Sequence, residues 1–400
     1  MHSVEKSGMG VNLMAVPQGE FRLERSPKNE LLRAWDAADE YLLHQVDELN
    51  ELSRQSSVLI VNDSFGALCI ALADYQPLMM SDSYLARQGM VENLRINGFK
   101  QGQVGFDNGL QEKTKSFDLV LIKIPKSLAM LEHQLYSIRK SLCSGTRIIA
   151  AGMTRSIHKS TLHLFERILG STTTSLAKKK SRLIFVTRDE SINEGQSPYP
   201  DQFIVEADRE YTITSHANVF SRDRLDNGSR LMIENIPVSD NYRQIVDLGC
   251  GNGLLGLIAA SLNERATVLF TDESYMAVAC ARDNYVAAFG GHRYAEFEVT
   301  NCLQGVADES KDLVLNNPPF HQHNATGDAI AWQMFIDARR VLKPRGELRV
   351  VGNRHLGYHS KLKNLFGNCE LVASNRKFVI LKAIKRSGGL ARILHEGGTV

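Results

Sequence analysis

The pattern of hydrophobic and polar positions predicts that strands alternate with helices along the chain. In the second half, the apolar run 244–248 enters a glycine-rich turn, and residues 254–262 continue with helical spacing. Further strands are predicted at 267–270, 312–315 and 347–351, and a helix around 331–342. This alternation is typical of an α/β fold with a parallel, doubly wound sheet.

The first half repeats the same order of landmarks. Apolar runs at 58–61 and 117–121 take the places of the strands before the glycine turn and at 312–315. The matched single residues are Gly66 and Gly251, Asp82 and Asp272, Gly145 and Gly346, and Gly170 and Gly367. We therefore predict two tandem copies of one fold, each a mostly parallel sheet with an antiparallel C-terminal edge.

Composition changes along the chain predict the domain boundaries. The stretch 189–202 is rich in polar residues and glycine and contains Pro198 and Pro200, which is typical of a linker. It would separate a first domain, 1–188, from a second domain, 203–386. Two Gly-Gly pairs after residue 386 predict a loosely held tail, 387–400.

Composition excludes several classes of protein. No apolar run approaches the roughly 18–20 residues of a membrane span, and the N-terminus has no secretory signal pattern. The six cysteines are scattered without a CxxC pair, which predicts reduced thiols, no metal site and a cytoplasmic location. The internal duplication favours a monomer.

The glycine turn predicts a cofactor site. Gly249, Gly251 and Gly253 follow a strand directly, so the backbone can turn sharply and approach a ligand. The run from Gly251 to Gly256 also satisfies the dinucleotide pattern GxGxxG, which leaves a nicotinamide cofactor as the alternative.

Charge decides between these two cofactors. A carboxylate at Asp247 would repel a pyrophosphate but favour S-adenosylmethionine, which carries an ammonium and a sulfonium and no phosphate. Asp272, at the end of the next strand, is placed to accept both ribose hydroxyls. Asn301 follows the run 296–299 and is placed to pair with the adenine amine.

The sequence Asn317-Pro318-Pro319-Phe320 after a buried strand predicts the chemistry. The side-chain oxygen of Asn317 and the carbonyl of Pro318 would accept the hydrogens of an exocyclic amine, so that its lone pair points at the methyl group. Phe320 offers a face for stacking a base. We therefore predict an amine methyltransferase that needs no metal.

The first copy has lost these features. Lys123-Ile124-Pro125-Lys126 replaces the Asn-Pro-Pro-Phe sequence, and only one glycine of the turn is retained. A lysine cannot accept a hydrogen bond, so this copy is predicted to be degenerate. Lys123 and Lys126 instead suggest an anion-binding cleft for RNA, and a purely structural partner domain is the alternative.

Other substrate contacts are predicted in the second copy. The segment 216–221, which includes Phe220, precedes the glycine turn and is expected to close over the cofactor or the base. From Arg376 and Lys377 to residue 395 the chain has six Lys or Arg residues and no acid. Such a cluster is typical of phosphate contacts, although a solvated surface explains it equally well.

These motifs together resemble the tandem-domain ribosomal RNA guanine-N2 methyltransferases of bacteria. The resemblance covers nearly the whole chain and is carried by the runs 34–43, 122–126, 216–222, 246–253 and 316–322. It implies two Rossmann-like class I methyltransferase domains, the first degenerate. It also implies N2-methylation of a guanine, with the large-subunit 23S rRNA as partner and substrate.

Four alternatives stay open from the residues. One is a methyltransferase of small-subunit 16S rRNA within the same family. Others are a release-factor glutamine-N5 methyltransferase and an adenine-N6 nucleic-acid methyltransferase, which use similar Asn-Pro-Pro-aromatic motifs. The non-enzymatic alternative is an RNA-binding ribosome assembly factor, against which the intact motifs of the second copy argue.

Overall fold

The chain divides into two compact units, Met1–Tyr199 and Pro200–Val400. The computed structural model describes residues 12–26, 32–113, 115–192, 195–222, 224–319 and 325–386.

The first unit is built around a seven-stranded sheet in the order β5-β4-β3-β6-β7-β9-β8. Strand β9 runs antiparallel to the other six strands, which share one direction. Its strands are β1 (Leu13–Val16), β2 (Gly19–Arg22), β3 (Val58–Val61), β4 (Leu78–Met80), β5 (Gly105–Asp107), β6 (Leu119–Lys123), β7 (Arg147–Met153), β8 (Thr172–Thr174) and β9 (Ser181–Val186). Its helices are α1 (Ala37–Leu49), α2 (Ala67–Ala71), α3 (Tyr84–Ile96), α4 (Leu128–Arg139) and α5 (Lys159–Ile168). β1 and β2 form a separate hairpin.

The second unit repeats this topology, with the sheet order β14-β13-β12-β15-β16-β18-β17. Its strands are β10 (Asp201–Glu206), β11 (Glu210–Ser215), β12 (Gln244–Leu248), β13 (Thr267–Asp272), β14 (Glu296–Val299), β15 (Lys311–Asn316), β16 (Leu342–Asn353), β17 (Glu370–Ser374) and β18 (Phe378–Ile384). Its helices are α6 (Asn227–Ile233), α7 (Leu254–Leu262), α8 (Tyr275–Phe289), α9 (Ala325–Val341) and α10 (Tyr358–Phe366). The predicted fold class is confirmed, including the antiparallel C-terminal strand β18, which lies between β16 and the edge strand β17.

Helices cover both faces of the second sheet, so its central strands are buried on both sides. Ile245 of β12 packs with α7 and α8 on one face, whereas Val246 packs with α9 and α10 on the other. Alternate residues of a strand point to opposite faces, which explains why β12 is apolar almost without interruption. The carboxyl ends of β12, β13 and β15 therefore meet at one edge, where loops can carry a site.

Strand register corrects one match between the copies. Gly66 corresponds to Gly253 rather than to Gly251, because each directly precedes a helix with a positive φ, 83° and 79°. A Cβ would lie 2.8 Å from the Cα of Met90 at Gly66, and 2.7 Å from the Cα of Ala281 at Gly253. The retained glycine is thus the one that lets two helices pack closely.

The match of Asp82 with Asp272 is also corrected, whereas the match of the residues that follow β6 and β15 is confirmed. Met80 and Thr271 pair with the last residues of β3 and β12, so Ser81, not Asp82, corresponds to Asp272. Ile122 pairs with the last residue of β3, and Asn316 pairs with the last residue of β12. Lys123 in the first copy therefore corresponds to Asn317 in the second.

We expect Gly253→Ala to lower the free energy of unfolding of the second unit by about 3 kcal/mol, because a positive φ costs roughly 1–2 kcal/mol and the overlap adds to it. The control is Gly291→Ala, where φ is 71° but nothing lies within 4 Å of a Cβ. It should cost only about 1–2 kcal/mol. Urea unfolding followed by Trp332 fluorescence, in a Trp35→Phe background, measures both; equal losses would contradict the packing argument.

Candidate active site

The glycine turn after β12 is held against β13 by backbone hydrogen bonds. The N–H groups of Gly249 and Cys250 both donate to the carbonyl of Thr271, at 2.8 and 2.9 Å. A Cβ at Gly251, where φ is 55°, would meet nothing closer than Val219 at 3.9 Å. The turn is therefore fixed on its inner side and open at Gly251, so a ligand can approach the backbone there.

Asp272 braces this turn from the neighbouring strand. Its carboxylate accepts hydrogen bonds from the N–H of Gly251 and from that of Ser274, both at 3.0 Å. Burial raises the pKa of Asp272, whereas these hydrogen bonds oppose the rise. Each carboxylate oxygen has a further lone pair, so hydroxyl groups of a ligand can still be bound.

Asp247 is held by the first turn of α7. It is buried, and its carboxylate accepts a hydrogen bond from the N–H of Gly256, in the first turn of α7, at 2.8 Å. Burial raises the pKa of Asp247 to about 7, against the effect of that hydrogen bond. The sequence argument did not anticipate this structural role.

Asn301 is half-buried and lies close to the backbone of Asp272. It is two residues beyond β14, and the intervening Thr300 donates its N–H to the carbonyl of Asp272 at 2.9 Å. Strand β14 thus brings Asn301 to the same edge of the sheet as the glycine turn.

Asn317 follows β15 at this edge, next to the end of β12. Its Nδ2 donates to the hydroxyl of Ser229 in α6 at 2.9 Å. Its Oδ1 is buried and has no hydrogen-bond partner within the described part of the chain. Pro318, which follows, is buried. Phe320, the predicted stacking residue, lies outside the described residues.

The segment 216–221 lies beside the glycine turn. Val219 is buried and is the residue nearest to a Cβ at Gly251. Phe220 is 64% exposed, so an aromatic face is available next to the site. Ser221 donates to the carboxylate of Asp226, the N-cap of α6, at 3.3 Å, which connects this segment to the helix that contacts Asn317.

A basic turn flanks the same edge of the sheet. Arg376 and Lys377 are exposed between β17 and β18, and Arg354 binds the backbone carbonyl of Asn375 at 2.9 Å. The ammonium of Lys377 lies 5.3 Å from the ring centre of Phe378, whose partner across the sheet is the last residue of β16.

In the first unit, Lys123 does not have the role that the sequence suggested. Its ammonium donates to Asp36 and Asp39, each at 2.7 Å, and its side chain is only 13% exposed. Because two carboxylates already neutralise this charge, the structure argues against Lys123 as an RNA contact. Lys126 is exposed and keeps its predicted position at the carboxyl edge.

The remaining space of the degenerate site is filled by the chain itself. Asp63 is buried, and its carboxylate accepts the N–H groups of Gly66, Ala67 and Cys69 at 2.9–3.0 Å. Asn62 stands where the second unit has Gly249 and hydrogen-bonds the backbone carbonyl of Lys123 at 3.0 Å. A side chain therefore stands at position 62 of the first unit, where the second unit has a glycine.

The residues that the structure describes contain no cluster of three or more His, Cys, Asp or Glu side chains arranged to hold a metal ion. Within those same ranges, no helix has the length and hydropathy that crossing a membrane requires.

Known proteins share both the sequence and the domain pair. A family model described as the RLMG N-terminal domain matches residues 12–190, and one described as the methyltransferase small domain matches residues 210–382. The protein of Streptomyces coelicolor named ribosomal RNA large subunit methyltransferase G is 48% identical over 93% of this chain and 100% of its own length. The chain belongs to the large subunit methyltransferase G family.

Other similarities agree with membership of the methyltransferase G family. The Klebsiella pneumoniae protein of the same name is 49% identical over 91% of this chain and 96% of its own. A solved structure of the T. thermophilus 16S rRNA N2 G1207 methyltransferase RsmC, in complex with AdoMet and guanosine, superimposes with a TM-score of 0.74 at 20% identity. It covers 94% of this chain and 97% of that chain, which shows the same two-unit fold.

Two contacts were not predicted from the sequence, one at the candidate site and one at the corresponding place in the first unit. Ser229 and Asp39 are each the third residue of a helix whose N-cap is an aspartate, Asp226 or Asp36. The N-cap pattern was readable in the sequence, because aspartate is favoured at that position. Nothing in the pattern indicated that these helix ends contact residues 317 and 123.

We expect Lys123→Met to lower the free energy of unfolding of the first unit by about 3 kcal/mol near pH 8, because it leaves the buried carboxylate of Asp39 without its cation. The loss should be smaller near pH 5.5. Burial raises the pKa of Asp39 to about 7, so this carboxyl is protonated, and needs no cation, below that pH.

Urea unfolding followed by Trp35 fluorescence, in a Trp332→Phe background, tests this pH dependence. The exposed Lys126→Met is the matched control and should change the free energy by no more than about 0.5 kcal/mol at either pH. An equal loss for Lys123→Met at both pH values would rule out the proposed charge effect.

Proposed function

We propose that this chain transfers a methyl group from S-adenosylmethionine to the exocyclic N2 of a guanine in 23S rRNA. The observation that carries the proposal is the buried Oδ1 of Asn317, an acceptor without a partner in the described residues, beside an open glycine turn. A buried acceptor left unpaired is costly, so it points to a donor supplied by a substrate.

The residues at the sheet edge fit S-adenosylmethionine as the cofactor. Gly249, Gly251 and Gly253 let the backbone approach it, and Asp272 would accept from its ribose hydroxyls. The cationic methionine part would lower the raised pKa of Asp247, so that its ionised carboxylate faces that cation, and Asn301 is proposed at the adenine. When bound, the cofactor supplies an electrophilic methyl group, so this chain needs only to orient the nucleophile.

The proposed catalytic residues act on the amine. The guanine N2 is a poor nucleophile, because its lone pair is delocalised into the ring. Asn317 Oδ1 and the carbonyl of Pro318 would accept its two hydrogens and direct the lone pair toward the methyl group. Phe320, and Phe220 from the neighbouring segment, would stack on the base. The product ammonium loses its proton to water, so no general base is required.

Family membership and charge support the choice of substrate. The relatives are named as methyltransferases of the ribosomal large subunit RNA, and the two-unit RsmC structure holds guanosine. Arg376 and Lys377 are placed to bind RNA phosphates on the catalytic edge, and Lys126 on the corresponding edge of the first unit. A monomer in the cytoplasm agrees with this function. The first unit is proposed to bind RNA or to support the second.

We expect Asn317→Ala to abolish methyl transfer while the Kd for S-adenosylmethionine stays nearly unchanged, because the side chain contacts the amine and not the cofactor. The assay uses labelled cofactor and protein-free 23S rRNA, with mass spectrometry of the nucleosides. N2-methylguanosine formed by the wild type, and not by the variant, supports the proposal.

Normal turnover by Asn317→Ala would overturn its assigned role. If the wild type transfers label only to 16S rRNA or to a release factor, that molecule and not 23S rRNA is the substrate. A wild type that binds RNA but neither binds nor transfers from the cofactor would favour an assembly factor.

We expect the double substitution of Arg376 and Lys377 by Ala to weaken RNA binding and to flatten its salt dependence. Each phosphate contact contributes roughly 0.7–0.9 to the slope of log K against log salt, so the slope should fall by about 1–2. Filter binding over a range of salt concentrations measures this. The matched control is Lys382→Ala, whose ammonium is already paired with Glu370 at 2.9 Å. An unchanged slope for the double variant would show that the turn does not contact phosphates.

A further inference from the structure

We propose that Ser229 is a positioning residue for methyl transfer, which holds the side-chain amide of Asn317 in the place and plane that the amine requires. This inference rests on the proposed role of Asn317 and adds to it the residue that holds the side chain in place.

The contact itself constrains the amide plane. Asn317 Nδ2 donates to Ser229 Oγ at 2.9 Å, and Oδ1 is the buried end without a partner in the described residues. A hydroxyl can accept from Nδ2 or donate to Oδ1, so Ser229 fixes the plane and position of the amide. The substrate's N–H groups need an acceptor, and only the orientation seen here presents one.

Ser229 is itself held rigidly at the start of α6. Its N–H donates to the N-cap carboxylate of Asp226 at 3.1 Å, and that of Gly228 donates to the same oxygen at 2.8 Å. A Cβ at Gly228 would lie 3.0 Å from Asp226 Oδ1 and 3.3 Å from the ring of Phe378. The helix end therefore packs closely against the sheet, and the hydroxyl has a defined place.

The other end of α6 is anchored too. Arg349 of β16 donates to the carbonyl of Asn235, just beyond the helix, at 2.7 Å. The guanidinium is buried and also pairs with the carboxylate of Glu347 at 2.7 Å. A helix fixed at both ends can hold a side chain to within the small tolerance that methyl transfer demands.

The first unit provides independent support for the position. α1 packs on β7 and β9 as α6 packs on β16 and β18. Asp39 is the third residue of α1 as Ser229 is of α6, and it contacts Lys123, the counterpart of Asn317. In both copies the third residue of the helix, α1 or α6, therefore contacts the residue that follows β6 or β15. Only the second unit has there a neutral hydroxyl, which leaves the acceptor of Asn317 unoccupied.

The test compares Ser229→Ala with Ser229→Thr in the full-length protein. We expect Ser229→Ala to lower kcat by roughly 10- to 100-fold, the scale of a misplaced reacting group, with the Kd values for S-adenosylmethionine and RNA unchanged. Ser229→Thr keeps the hydroxyl and should restore most of kcat.

The control is Ser310→Ala. This serine precedes β15, at the end opposite Asn317, and its hydroxyl donates only to the carbonyl of Ala307. We expect wild-type kcat. A Ser229→Ala variant with unchanged kcat, or one whose loss appears only in the cofactor or RNA Kd, would overturn the proposal.

A second measurement separates this inference from the proposed function. Hydrogen exchange of the Asn317 side-chain amide, identified in the ¹⁵N spectrum by its absence in Asn317→Ala, should be faster in Ser229→Ala than in the wild type. If the wild type methylates no RNA, the proposed function fails, and the exchange rate alone tests whether Ser229 holds the amide of Asn317. Equal exchange rates in the wild type and in Ser229→Ala would show that it does not.

Discussion

The register between β12 and β15 is the constraint on which the candidate site depends. Leu248 pairs with Asn316, and the side-chain amide of Asn316 donates to the carbonyl of Leu248 at 2.9 Å. A slip of one residue would exchange the faces of Asn316 and Asn317, because side chains alternate along a strand. One buried asparagine thus fixes the strands, so that the next asparagine is presented to the site.

Comparison of the two units separates what the fold requires from what the ligand requires. Gly66 and Gly253 are both retained, because two helices approach closely there. Gly249 has Asn62 as its counterpart, so the fold alone does not require a glycine at that position. Asn62 keeps a φ of 64°, close to the 72° of Gly249. The backbone path has been preserved while the side chains filled the space.

The sequence was sufficient for whatever depends on periodicity and order along the chain. It predicted the alternation of strands and helices, the duplication and the correspondence of Lys123 with Asn317. It could not predict the contact between Asn317 and Ser229, because 88 residues separate them and no motif indicates which helix end meets the end of β15. It likewise matched Asp82 to Asp272 by spacing, since only hydrogen-bond register distinguishes adjacent residues at the end of a strand.

The ion pair of Lys123 bears on how such a duplicated domain can evolve. A return to the arrangement of the second unit would need an asparagine at position 123 and a small neutral residue at position 39. Either change alone leaves a charge buried without its full set of partners, and selection for folding would remove it. With Lys123 and Asp39 both present, each single step toward that arrangement therefore destabilises the first unit. The ion pair makes the present form of this unit hard to reverse by point substitution.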